Sequence, residues 1–367
     1  MVRTCRNSIA GILLGLIGWA ALCLPAFGRE AKLTIQPQKA PPEPGKYLLL
    51  PAPESLVDAD AVALYEQAMK GLPSKADMDQ IRQWLDLPIG QLPPGDVEAM
   101  LQRHAENLRC AAKAARCKEC KWPAWTPGAK MTNDREYRVL TWLIELWARL
   151  ETARQGYEGA LVAMQTGFGM ARHLGQGPTI MQGLIGAAIG AVMCKEIEQF
   201  IEGADSPNLY HALANMPKPL IEIDQAIENE KKVGLAEAPN EAVRQELEKV
   251  LKPAHDRSRL IARRLDGNLA VLQCVEAIRA YAASHGGQLP GSLNDVAELS
   301  VPTDPITGEP FRYTVSGSTA VLESPLPPGA DKRDGMHFEI SVKDREPFQG
   351  RRAVGGQMGC ISSSRIA

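Results

Sequence analysis

The sequence is poor in aromatic residues and lacks an excess of either charge. Phe, Trp and Tyr together make up 5% of the 367 residues, and 41 Lys and Arg stand against 43 Asp and Glu. A net charge of −2 offers no general attraction to nucleic acid or to an anionic bilayer surface, so both are set aside as partners. Catalytic signatures are missing as well. The sequence contains no phosphate-cradling glycine loop, dinucleotide fingerprint, nucleophile elbow, HExxH pair or paired-carboxylate motif. Its six histidines, at 104, 173, 211, 255, 285 and 337, form no close pair. No residue is therefore assigned a catalytic, cofactor-binding or metal-binding role, and no cofactor is expected. His173 lies at the end of a helical pattern and reads as a capping or surface residue.

What is present begins with an address. Arg3 and Arg6 precede an uncharged apolar run, residues 9–26, and Ala26-Phe27-Gly28 places small residues at −3 and −1. This is the pattern of a secretory signal peptide spanning 1–28 and cut before Arg29. A retained anchor formed by residues 9–26 is the alternative. Leu22 before Cys23 argues against a lipoprotein signal, and the order of basic and apolar segments argues against a prepilin leader. The expected location is periplasmic or extracellular, with membrane contact only through the N-terminal segment if it stays uncut.

Export changes the reading of cysteine. Once the signal is removed, Cys110, Cys117, Cys120, Cys194, Cys274 and Cys360 remain, an even number that allows three disulfides. Cys194 and Cys274 fall in apolar helical patterns and read as buried free thiols. The stretch "CKEC", 117–120, with Cys110 and His104 upstream, has three open readings: structural thiols or a disulfide, a Cys3His metal site, and a redox pair. Asp331 and Asp334 offer a calcium turn, and an ordinary turn is the competing reading.

Residues 29–54 carry frequent prolines and read as an extended linker or a strap on the folded body. From 55 to 216 apolar residues recur at three and four, which predicts an α-helical array. Within it, "PTIMQGLIGAAIGAVMCKEIEQFIEG" reads as a core helix over 178–203. Gly183, Ala187 and Ala191, with Gly186 and Gly190, supply its close-packing face. Residues 217–256 predict charged connecting helices. From 257 the stripe Ile261, Leu265, Leu269, Leu272, Val275 and Ile278 predicts a long helix, followed by alternating strands. Phe311, Tyr313 and Val315 should turn toward that stripe. Residues 346–367 read as a flexible tail.

Two family resemblances rest on these motifs. The stretch around Gln155-Gly156-Tyr157, with small residues Ala148, Ala160 and Gly167, resembles a tetratricopeptide-type hairpin, although Arg172 stands where a proline is expected. Residues 257–345, with "LP", Pro302, Asp304-Pro305, Gly308, Pro310-Phe311 and Tyr313 in order, resemble the globular part of the major type II secretion pseudopilin. The N-terminal pilin helix is absent. The whole chain is similar to a group of exported helical proteins abundant in planctomycete bacteria. These resemblances imply a mainly α fold: a helical-hairpin array, then a small α+β pseudopilin-like module with a short antiparallel sheet. The expected function is that of a non-catalytic exported scaffold binding a protein or peptide. The alternatives are a metal-dependent enzyme near Cys110, Cys117 and Cys120, and a component of an envelope or secretion machine.

Overall fold

A computed structural model describes residues 29–125, 134–236, 238–326 and 335–343. The signal segment, the Asp331 and Asp334 turn, Cys360 and the tail lie outside the described residues. Those described are mainly helical, with ten α-helices and a small four-stranded sheet.

The chain enters as strand β1, Arg29–Ile35. Leu33 and Ile35 alternate inward and are buried. These seven residues depart from the expected linker. Their period-two pattern finds a partner at the far end of the chain, where Leu33 stands beside Ile340 and Ala31 beside Phe338 in parallel register. The rest of the segment is a strap on the body. The Gln38 amide donates to the Arg279 carbonyl, Gln165 donates to the Leu48 carbonyl, and Leu49 is buried.

Four helices follow: α1 (Val62–Ala68), α2 (Lys75–Leu85), α3 (Pro94–Arg103) and α4 (Ala105–Ala115). The Ser74 hydroxyl caps α2 by accepting from the Asp77 amide. Flanking these four helices in the chain, β2 (Val57–Asp60) pairs in parallel with β3 (Cys117–Glu119). Then α5 (Asp134–Ala153) and α6 (Tyr157–Gly175) form a hairpin, turning where Gln155 takes a φ of 59°.

Helix α7, Ile180–Glu202, is the centre of the helical body. Thr179 caps it, so the helix starts two residues later than one begun by Pro178 would. By length and composition α7 could cross a membrane, yet 72% of its apolar window is buried within the fold. Its glycines set how closely the neighbours come. A Cβ on Gly186 would lie 2.6 Å from the Ala171 carbonyl oxygen of α6, and one on Gly190 would lie 2.6 Å from Leu265. Short α8 (Tyr210–Ala214) and α9 (Ile223–Ala236) lead to α10.

Helix α10 runs unbroken from Glu241 to Ser284, 44 residues, with Asn240 as its cap. The expected boundary at 256/257 therefore falls inside one helix. Pro253 does not break the helix because it is exposed: the backbone bond it cannot donate leaves a carbonyl on the water side, which solvent can satisfy. Beyond that point all six residues of the predicted stripe are buried.

The sheet closes the molecule in the order β1-β6-β5-β4, with β4 Arg312–Ser316, β5 Thr319–Glu323 and β6 Met336–Val342. Strands β4, β5 and β6 are antiparallel, and β1 makes the sheet mixed, which corrects the expectation of a purely antiparallel one. The β4–β5 hairpin turns through Gly317 at a φ of 61°. Phe311 is buried as expected and Tyr313 is half-buried, whereas Val315 is 38% exposed. The reason is position: β4 is an edge strand, and the core thins towards it. The loop before it takes the expected shape. Buried Asp304 accepts from the Ile306 amide and the Thr307 hydroxyl, and its carbonyl takes the Gly308 amide at 2.7 Å.

Candidate functional site

The CKEC stretch was the leading chemical candidate, and its geometry disperses the ligands. Cys110 lies on α4, where its thiol donates to Glu106 at 3.3 Å. The Cys117 thiol turns back to the Lys113 carbonyl. His104, at the junction of α3 and α4, faces Asn107, which donates to the Ala68 and Lys70 carbonyls. Among the described residues no three of His, Cys, Asp and Glu converge as a metal-binding set. Burial pushes the thiols of Cys110, Cys117 and Cys120 up, which keeps them protonated and poor nucleophiles. All five described cysteines are free, so no disulfide ties this part of the chain.

His173 is the residue the sequence misplaced. It is buried, not at the surface, and joins three segments. Its Nε2 lies 3.1 Å from the Cys117 carbonyl and its Nδ1 lies 2.9 Å from the Tyr65 hydroxyl. A carbonyl can only accept, so Nε2 carries the proton and Nδ1 accepts from Tyr65. The Trp122 indole in turn donates to the His173 carbonyl at 2.7 Å. Burial, with Arg172 nearby, depresses the imidazole to about 4, so it is neutral at ordinary pH. The group is a polar staple between α1, α6 and β3. With both nitrogens engaged, it has no free base to offer a substrate.

A second polar group went unread in the sequence. Glu145 and Arg149 of α5 and Glu196 of α7 are all buried, with Arg149 Nη1 3.8 Å from Glu196. Arg149 also donates to the Leu87 carbonyl. Burial raises both carboxyls, Glu196 most strongly, and Glu145 raises Glu196 further. Arg149 and then Lys195 oppose that rise in both carboxyls. In the sequence the pair shows only as Glu145 and Arg149, four residues apart in an otherwise apolar run.

Glu230 of α9 provides a cleaner titrating group. It accepts from the Ile180 amide, at the first turn of α7, at 2.7 Å. Burial still raises it from the usual carboxylate range to about 7. A carboxyl raised in the folded state favours folding below its unfolded value and loses that contribution as pH rises through the folded one. Stability should therefore fall between about pH 4.5 and 7 on this account. Glu230→Gln keeps the acceptor oxygen and removes the proton. Melting temperatures of variant and parent, measured from pH 4.5 to 8, should diverge with rising pH, the variant being the more stable above 7. The depressed His173 acts with the opposite sign in both proteins and cancels in the difference. Parallel curves would show that Glu230 is hydrated.

The third group is fully buried. Arg279 of α10 pairs with Glu276 at 3.3 Å, and both side chains are 0% exposed. Arg279 donates to the carbonyls of Gln36, Ser206 and Pro207, and to the Ser206 hydroxyl. Glu276 accepts from the Leu209 amide. The strap, the loop before α8 and the long helix meet here. This group is architectural.

The fold defines a mainly helical protein closed by a small mixed sheet. No protein-family model, curated protein or solved structure matches the chain.

Proposed function

We propose that the protein is an exported, non-catalytic scaffold that binds a protein partner through a projecting helical arm. The supporting observation is the first part of α10. Every position from Glu241 to Pro253 is exposed except Leu247 and Leu251, which are half-buried. Large exposed apolar side chains are scarce: among the described residues they are Val57, Val243, Val250 and Val315, and two of these four lie here. Val243 and Val250, 37% and 50% exposed, are seven residues apart and so share one helical face. Charges of both signs border them, with Arg244–Glu241 and Lys249–Glu246 pairs. An apolar stripe between mixed charges suits an amphipathic helix of a partner protein.

The test is photo-crosslinking in the exporting cell from a reactive residue placed at Val250, with Val57 as the control site. A discrete adduct at 250, mapped to a helical segment of one partner and lost in a Val243→Glu variant with an unchanged melting temperature, is expected. Equal labelling from both sites would overturn the reading, and an adduct between two copies of this chain would replace the partner with self-association.

A further inference from the structure

Among the described residues the sheet has two edges, and only one of them is closed. At the outer side of β1 the Thr34 amide donates to the Glu202 carboxylate of α7 at 2.8 Å. The other edge is β4, in which every residue but Tyr313 is exposed. Its free backbone groups follow from the hairpin. Gly317 and Ser318 make a two-residue turn, so Ser316 and Thr319 close it as a hydrogen-bonded pair. Bonding alternates along an antiparallel ladder, so Arg312, Thr314 and Ser316 turn their amides and carbonyls to β5. Tyr313 and Val315 turn theirs outward, and among the described residues no backbone group meets them. The strand has few of the usual guards of an edge: no proline, no bulge, and its one charge, Arg312, sits at its end.

We propose that β4 pairs antiparallel with β4 of a second copy of this chain, across a two-fold axis at Thr314. The strand fits itself in that register, as a two-fold contact requires. Tyr313 stands opposite Val315 of the second copy and exchanges both backbone bonds with it, and Val315 does the same with the second Tyr313. An aromatic ring beside a β-branched side chain is a favourable cross-strand pair, and it covers Val315, which is 38% exposed. On the solvent face Thr314 meets Thr314 and Arg312 meets Ser316, so no like charges are opposed. An axis at Tyr313 would instead oppose Val315 to buried Phe311, and an axis at Val315 would oppose Tyr313 to the Gly317 turn. A five-residue edge is below the size of a permanent interface, so the dimer is reversible. It carries two copies of the α10 arm, and it stands whether or not that arm binds a partner.

Sedimentation velocity of the purified protein, from about 1 to about 500 µM, should show a monomer converting to a dimer. Val315→Pro removes an outward amide and no bond to β5, a place where an edge strand accepts proline. It should weaken dimerisation about tenfold or more, with an unchanged melting temperature at the lowest concentration. Thr314→Lys and Thr314→Glu each set like charges face to face across the axis, and each should dimerise about fivefold more weakly. Mixed in equal amounts they should form a heterodimer at least as tight as the parent dimer, which a folding defect would not produce. If Val315→Pro unfolds, this charge pair alone decides. A monomer at every concentration overturns the proposal, and a mixture no tighter than either charge variant overturns the register. A dimer that none of these variants changes overturns it too, because the copies then meet on another surface.

Discussion

Arg279→Ala should lower the unfolding free energy by about 3–5 kcal/mol, because it leaves a buried charge without its counter-ion. The loss is not that of one ion pair. Arg279 neutralises Glu276, and it also satisfies the carbonyls of Gln36, Ser206 and Pro207, three groups from two separate segments. Orphaned buried acceptors cost more than the bonds gained by making them, so the damage spreads to the strap and to the loop before α8. Urea denaturation followed by circular dichroism measures it, and a loss below about 1 kcal/mol would mean that water reaches Glu276 when Arg279 is gone. The same contacts bear on whether residues 257–345 can stand alone. That piece is long enough for a domain. It nevertheless lacks β1, which completes the sheet beside β6, and every partner of Arg279 outside α10. Expressed alone, it should give a poorly dispersed amide spectrum, where a pre-formed module would give a resolved one.

The parts of the fold that could be read in the sequence were those whose partners are periodic. The stripe from Ile261 to Ile278 repeats at three and four residues, and every member is buried. Gly186 and Gly190 announced a close approach, and Ala171 and Leu265 fill it. What escaped were residues whose partners lie far along the chain. In β1 only Leu33 and Ile35 carry a signal, and a parallel neighbour some three hundred positions away leaves no turn to mark it. Glu276 and Arg279 sit three residues apart on a helix, the spacing of an ordinary solvated pair, and only the strap and the loop before α8 bury them. His173 followed the same logic. Its helix-end position suggests a cap, and Tyr65 and Cys117, both distant in sequence, turn it inward. The cysteines show the converse. Cys110 and Cys117 are close in sequence, but a helix and a strand give their thiols different partners, Glu106 and the Lys113 carbonyl.

The sheet offers a graded test of that picture. Across the inner face, Tyr313, Leu322, Phe338 and Ala31 form one row, and Val315, Ala320, Ile340 and Leu33 the next. Burial deepens from the β4 edge inward: Val315 is 38% exposed, whereas Leu322, Phe338 and Ile340 are all 0% exposed. Phe338→Ala should cost about 3–5 kcal/mol, the usual loss when a fully buried ring leaves a cavity that its neighbours cannot fill. Phe311→Ala, 4% exposed just before β4, should fall in the same range of about 3–5 kcal/mol. Val315→Ala should cost about 1 kcal/mol or less, since more than a third of the residue stays in water. Arg312→Ala, on the solvent face of the same strand, should lose only stem packing. Thermal and urea unfolding of the four variants give the order directly. If Val315→Ala proved as damaging as Phe311→Ala, β4 would be covered by a further element and its edge would not be open. If Phe338→Ala were mild, the sheet would not be packed on α7 and α10 at all. The order Phe338, Phe311, then Val315 and Arg312 follows only if the long helix lies beneath the central strands and β4 overhangs it.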